Sequence, residues 1–215
     1  WVVSRRLLAT TAMVAFGVGA VMLGITSYVP TFLVGALSTS PIVAGLALAA
    51  LTIGWPISAS QSGRLYLRIG FRNTALIGIT VTVIGTAVLA VTASVPNVAM
   101  VAGSCFIVGL GLGLVATPTL IAAQTSVEWN ERGVVTGTNL FARSIGSSIG
   151  VAVFGAIANA VYAGTPHGDT DPRTIVAASS AVFLAVMIAA VLTVVAVLGM
   201  PATKPVKQVQ AAARG

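Results

Sequence analysis

The sequence predicts an all-α integral membrane protein, a bundle of six transmembrane helices. Three observations carry that prediction. No charged residue stands between Arg6 and Arg64, and none between Arg72 and Glu128. Charged residues are 7% of the chain, against roughly 25% in an ordinary soluble domain. Mean hydropathy is +1.03, so lipid is the solvent that suits the surface. The runs are apolar all round and do not alternate, which argues against membrane strands. A helix satisfies its own backbone in lipid, so helices are the remaining choice.

A bilayer core of about 30 Å asks for about 20 residues per helix. The first charge-free stretch holds two such spans, near residues 7–34 and 42–62, parted by a turn-forming cluster at 35–41. A short basic connection fills 63–72. The second stretch is divided by Ser94-Val95-Pro96-Asn97 into spans near 74–93 and 98–123. A connection bearing Glu128, Glu131 and Arg132 precedes the fifth span, near 134–161. A polar segment at 164–173 precedes the sixth, near 174–198. Residues 1–203 thus read as one bundle and 204–215 as a basic tail. The start at Trp1 instead of Met reads as a fragment or a processed chain.

Basic residues set the expected orientation. Arg5, Arg6, Arg64, Arg68, Arg72, Arg132, Lys204, Lys207 and Arg214 all fall on one side if the chain crosses six times. The other side has Arg173 beside Asp169 and Asp171. The positive-inside rule then puts both termini in the cytoplasm of a cell with this protein in its inner membrane. The net charge of +7 is spread over connections and forms no aromatic-interleaved stripe, so lipid head groups explain it better than nucleic acid.

Few residues could carry reaction chemistry. The single cysteine, Cys105, lies in an apolar run and reads as a small packing residue. The single histidine, His167, lies in a polar connection with no partner for zinc or for a nucleophile. No acid falls in any span, which excludes an intramembrane proton relay within this chain. The expectation is therefore no enzyme, no metal and no cofactor.

Arg143 breaks the charge-free pattern. It stands about 15 Å up the fifth span, counted from Gly133 at 1.5 Å per residue. An intramembrane charge is a functional hypothesis by default; the competing reading is that it snorkels or pairs with Glu128 or Glu131. Asn139, Arg143, Gly146 and Gly150 share one helix face by their i, i+4, i+7, i+11 spacing. Thr136, Ser147 and Ser148 broaden that stripe, which should face protein. Gly109 and Gly113 read as a small-xxx-small contact, followed in the same span by Pro118. Trp55-Pro56 in the second span reads as a kink, and Tyr28 as an interfacial anchor or a cavity residue. Tyr28, Thr117, Asn139 and Arg143 are the candidate cavity or gating residues.

The connection after span two reads Gly63-Arg64-Leu65-Tyr66-Leu67-Arg68-Ile69-Gly70-Phe71-Arg72. It resembles the cytoplasmic loop signature of the major facilitator superfamily, G-x-L-a-D-r-x-G-r-k. Gly63, Leu65, Arg68, Gly70 and Arg72 match, while Leu67 stands where the signature has Asp, as is usual for the weaker copy in the second half of such transporters. Gly137, Gly146 and Gly150 resemble a degenerate antiporter glycine motif, with Val151 where proline is expected. Residues 28–33, 40–41, 44–46, 109–124, 132–133, 136–137 and 145–146 are similar to the C-terminal half of drug:proton antiporters of the fourteen-helix branch.

The resemblance implies a half-transporter built from two inverted three-helix repeats, rocking against an N-terminal bundle around a midplane site. It implies that spans one, two, four and five face the cavity or the partner bundle, with three and six outside. It implies proton-coupled multidrug efflux, with the coupling acid in the other half. Apolar walls suit small lipophilic substrates, cations among them. Two alternatives stay open: a self-standing six-helix channel or scaffold that oligomerises, and a carrier of the same superfamily for a sugar or metabolite.

Overall fold

The computed structural model describes residues 2–93, 97–164 and 171–201, with side chains from Arg6 onward. The basic tail at 204–215, with Lys204, Lys207 and Arg214, lies outside the described residues, as do His167, Asp169 and the Arg5 side chain. Six long helices make up the fold: α1 Val2–Leu37, α2 Pro41–Ile69, α3 Phe71–Thr92, α4 Val98–Thr125, α5 Arg132–Ala163 and α6 Pro172–Leu198. A short 3-10 turn, Trp129–Glu131, leads into α5. No strand occurs among the described residues. All six helices are long and apolar enough to cross a membrane.

The helices outrun the apolar spans, most clearly at the basic connection. Residues 63–72 are not a loop: α2 continues through Gly63, Leu65 and Arg68 to Ile69, and α3 begins at Phe71. Charge marks where a helix leaves lipid, not where it ends. Arg68 sits in the last turn of α2, where a cation complements the exposed carbonyls. Gly70 alone makes the reversal, at φ 87°, a conformation that suits glycine. Its N–H donates to the Tyr66 carbonyl at 2.9 Å, and Tyr66 stacks on Phe71 across the turn at 4.7 Å. The turn after α1 is likewise shorter than 35–41: α1 runs through Leu37, and the Thr39 amide and hydroxyl both donate to the Leu33 carbonyl, at 3.3 and 2.8 Å.

Helix starts follow local chemistry. Ser40 caps α2 ahead of Pro41, Asn97 caps α4 by accepting from the Ala99 N–H at 2.9 Å, and Asp171 caps α6 ahead of Pro172. These side chains take up N–H groups that a first turn leaves unpaired. The Thr174 hydroxyl, with the Arg173 and Thr174 amides, holds the Asp171 carboxyl below its usual range. The helices continue through Pro30, Pro56 and Pro118.

Packing shows the internal repeat. The heaviest pairings are α2 on α4 and α1 on α5, then α3 on α4 and α1 on α6. Exchanging α1-α2-α3 for α4-α5-α6 maps each pairing onto its counterpart. Three helices per repeat is an odd number, so the second repeat starts from the opposite end of the bundle and is inverted. The α1 stripe Val14, Val18, Val21, Ile25, Val29 and Phe32 is fully buried, at the 3–4 residue spacing of one helix face. Phe32 meets Phe183 of α6 edge to face at 5.6 Å.

Candidate functional site

The α1–α5 seam brings two backbones together and then hangs polar groups on them. A Cβ on Gly146 would collide with the Phe16 carbonyl of α1, and one on Gly150 would lie 2.9 Å from the Ala20 Cα. Gly19 of α1 is pressed in turn against the Arg143 carbonyl. Gly137, the remaining member of the glycine pattern, has nothing within 4 Å.

Along the same face of α5, Asn139 Nδ2 donates to the Thr11 carbonyl at 3.3 Å. Ser147 Oγ donates to the Gly19 carbonyl at 3.1 Å. Arg143 sits between them, half-buried. Its Nη2 donates to Met22 Sδ at 2.9 Å, and its guanidinium lies over the Trp55 ring of α2, 4.7 Å from the centroid. One side chain thus reaches from α5 past α1 to α2.

The direction of that reach bears on the snorkelling and pairing readings of Arg143. Its carbonyl lies against Gly19, while its guanidinium meets Met22, three residues further from the basic end of α1 and so about 4.5 Å deeper. The guanidinium does not turn back toward the basic end. Glu131 precedes Arg143 by twelve residues, about 18 Å along the axis, and both Glu128 and Glu131 are exposed. Pairing with either acid is therefore out of reach.

Trp55 and Met22 hold the guanidinium without neutralising it. A cation over an indole gains about 0.5–2 kcal/mol, and a thioether is a weak acceptor. An arginine at the centre of a membrane helix costs about 2.5–3.5 kcal/mol on insertion scales. No acid lies in any of the six helices, so the charge stays unmatched within the described residues. Met22, Leu51, Thr52, Trp55, Pro56 and Arg143 line a cleft of about 300 Å³. It lies between α1, α2 and α5.

The other candidates lie elsewhere. Tyr28 is half-buried on α1, six residues beyond Met22, with its hydroxyl 3.6 Å from where a Gly155 Cβ would stand. Thr117 is half-buried on α4 and does not line the cleft. Gly63, Leu65, Arg68, Gly70 and Arg72 cluster at the basic end around the α2–α3 reversal, with Arg68 exposed and Arg72 half-buried. Thr136 joins α5 to α4 there, accepting from Gln124 Nε2 at 2.8 Å.

The sequence reading missed what Trp55 and Met22 do. Trp55 carried a usable signal: it lies fourteen residues into α2, whereas membrane tryptophans favour the interface. Met22 carries none, because one apolar residue among many gives no spacing or chemistry to single it out.

Comparison with known proteins bears on all of this. A family model described as Major Facilitator Superfamily matches residues 2–151. The chain is 32% identical over 149 residues to Multidrug transporter protein MdtP of Bacillus subtilis (strain 168), covering 69% of this chain and 27% of that protein. It is 29% identical over 164 residues to Multidrug resistance protein 3 of the same organism, covering 75% of this chain and 32% of that one. Among solved structures it is similar to the E. coli fucose:proton symporter, with a TM-score of 0.66 and 20% identity, over 92% of this chain and 48% of that chain. The chain therefore spans about a third or less of these two curated relatives and about half of the symporter.

Proposed function

The chain belongs to the major facilitator superfamily, a family of transporters and not of enzymes, and from that premise we propose that it is the C-terminal bundle of a proton-coupled multidrug exporter. Residues 1–203 form the bundle, and 204–215 extend from it as a basic tail. The bundle rocks against an N-terminal partner bundle around a midplane site, within membrane lipid. The basic ends of the helices face the cytoplasm, as does each terminus, by the positive-inside rule. The membrane is the cell's inner one.

The observation that supports this best is the Arg143 cleft. It stands at mid-depth, is walled by apolar side chains, and is bounded by α1, α2 and α5. The helices that form it are among those the resemblance assigns to the cavity. Names of the two Bacillus relatives support multidrug cargo. With no acid in these six helices, the proton switch belongs to the other half.

The test is efflux from proteoliposomes that hold the native-length protein, with a panel of lipophilic anionic, neutral and cationic dyes. An imposed proton gradient should drive export, and its collapse should stop it. Arg143→Ala should cut transport at least tenfold while membrane abundance changes by less than twofold. Residues 1–203 alone should show no gradient-driven efflux. Efflux by that isolated bundle would overturn the half-transporter reading in favour of a self-standing protein.

A further inference from the structure

An arginine side chain does not lose its proton in proteins, so Arg143 carries a full positive charge at mid-depth. Its partners are soft and neutral: the Met22 sulfur at 2.9 Å and the Trp55 ring at 4.7 Å. A guanidinium has five N–H donors in a planar fork suited to a carboxylate. Among the described residues, only the one to Met22 has a protein acceptor in the cleft. The fork is thus positioned before any anion arrives. Around it lie Leu51, Thr52 and Pro56. Pro56 has no N–H to give the Thr52 carbonyl four residues back, so that bond is missing from the α2 ladder. A volume of about 300 Å³ is at the small end for a small-molecule site, enough for a one- or two-ring molecule.

We infer that this cleft holds the carboxylate of an amphipathic aromatic substrate, with the guanidinium on the carboxylate and the ring system against Trp55, Met22 and Leu51. The inference rests on the transport reading above and narrows its cargo. A lipophilic cation meets like charge in this cleft and is disfavoured there. The broader expectation that apolar walls suit lipophilic cations stops at Arg143, because apolar walls set hydrophobicity and the lone charge sets sign. A carboxylate could instead come from an Asp or Glu elsewhere in the protein, and the experiment separates the two sources.

Binding is measured by calorimetry on the native-length protein in nanodiscs at pH 7. The probes share one ring system: 2-naphthoate, 2-naphthylmethanol and 2-naphthylmethylammonium. 2-Naphthoate should bind at least tenfold more tightly than the ammonium. Arg143→Gln should weaken 2-naphthoate at least tenfold and leave the alcohol within twofold. Arg143→Lys should fall between, since it keeps charge and loses the fork. Thr52→Glu places a carboxylate in the cleft and should weaken 2-naphthoate at least tenfold more than it weakens the alcohol, which keeps the test decisive if Arg143→Gln does not fold. Equal affinity for the three probes in the unmodified protein overturns the inference and assigns Arg143 to an internal acid. An anion preference that survives Arg143→Gln overturns it as well. Binding needs no efflux, so anion-selective binding without gradient-driven transport would sink the transport reading alone. Efflux without anion preference would sink this inference alone.

Discussion

The α2–α4 seam and the α1–α5 seam are the same crossing built twice from different residues. In the first, Gly109 sits against the Leu51 carbonyl, Gly113 against the Trp55 carbonyl, and Gly54 against the Phe106 carbonyl. In the second, Gly146 sits against the Phe16 carbonyl, Gly150 against Ala20, and Gly19 against the Arg143 carbonyl. Both put two glycines of one helix, four residues apart, beside the backbone of the other. The chemistry then diverges. The α2–α4 crossing is walled by apolar groups and the Ser58 hydroxyl, which returns to its own helix at the Trp55 carbonyl, 3.0 Å away. The α1–α5 crossing adds Asn139, Arg143 and Ser147, each bonding across to α1. Close backbone approach is thus kept at both crossings, but the glycine pair sits on α4 in one and on α5, the counterpart of α2, in the other. The polar side chains are a further difference between the two crossings. Trp55 connects the two seams, since its carbonyl meets Gly113 and its ring meets Arg143.

The largest expected effect tests whether the two crossings are equivalent. Gly109→Val and Gly146→Val each force a branched side chain into a facing carbonyl, so the helices must separate. Each should destabilise the bundle by about 3 kcal/mol, read as a lowered unfolding midpoint in detergent by scanning fluorimetry. Equal losses sharpen the comparison. Tolerance at one site and collapse at the other would break it, because the crossings would then differ in the closeness that defines them.

A smaller effect of opposite sign separates packing from pattern within α5. Gly137 has open space where a Cβ would go. Gly137→Ala should therefore stabilise by about 0.5–1 kcal/mol through helix propensity, with transport unchanged. Loss of transport at normal stability would show that the antiporter-like glycine pattern acts by something other than close contact with α1. The pair Gly137→Ala and Gly146→Val thus divides one sequence motif into two physical roles.

The sequence made the six helices legible because lipid leaves so few options: a long run without charge must be a span. It misjudged their ends for a related reason. Hydropathy reports where the bilayer stops, and α2 continues past that point through Arg64 and Arg68, whose long stems and exposed heads suit the membrane surface. The repeat was not legible, because it is written in backbone approach and the apolar side chains around it are interchangeable. Arg143 was legible as an anomaly, and the stripe with Asn139, Gly146 and Gly150 gave its face. Its partners were not. Met22 and Trp55 stand 121 and 88 positions away in the chain; the depth of Trp55 in its span marks it as unusual, but nothing local in either names Arg143 as the partner.

The finest test of the seam comparison is Ser147→Ala, which removes one of the bonds that distinguish the two crossings. Ser147 Oγ donates to the Gly19 carbonyl at 3.1 Å, one turn along α5 from Arg143. Hydrogen bonds between membrane helices average about 0.6 kcal/mol, so stability should fall by about that amount. Gly19 also bears directly on the Arg143 carbonyl, so the seam should loosen where the arginine is rooted. If the polar groups of this seam serve to position Arg143, 2-naphthoate affinity should drop by more than the stability loss accounts for, while the alcohol probe is unmoved. If they serve only to hold two helices together, both probes should weaken alike. The second outcome would return the α1–α5 crossing to the status of its apolar twin, with Arg143 merely lodged on it.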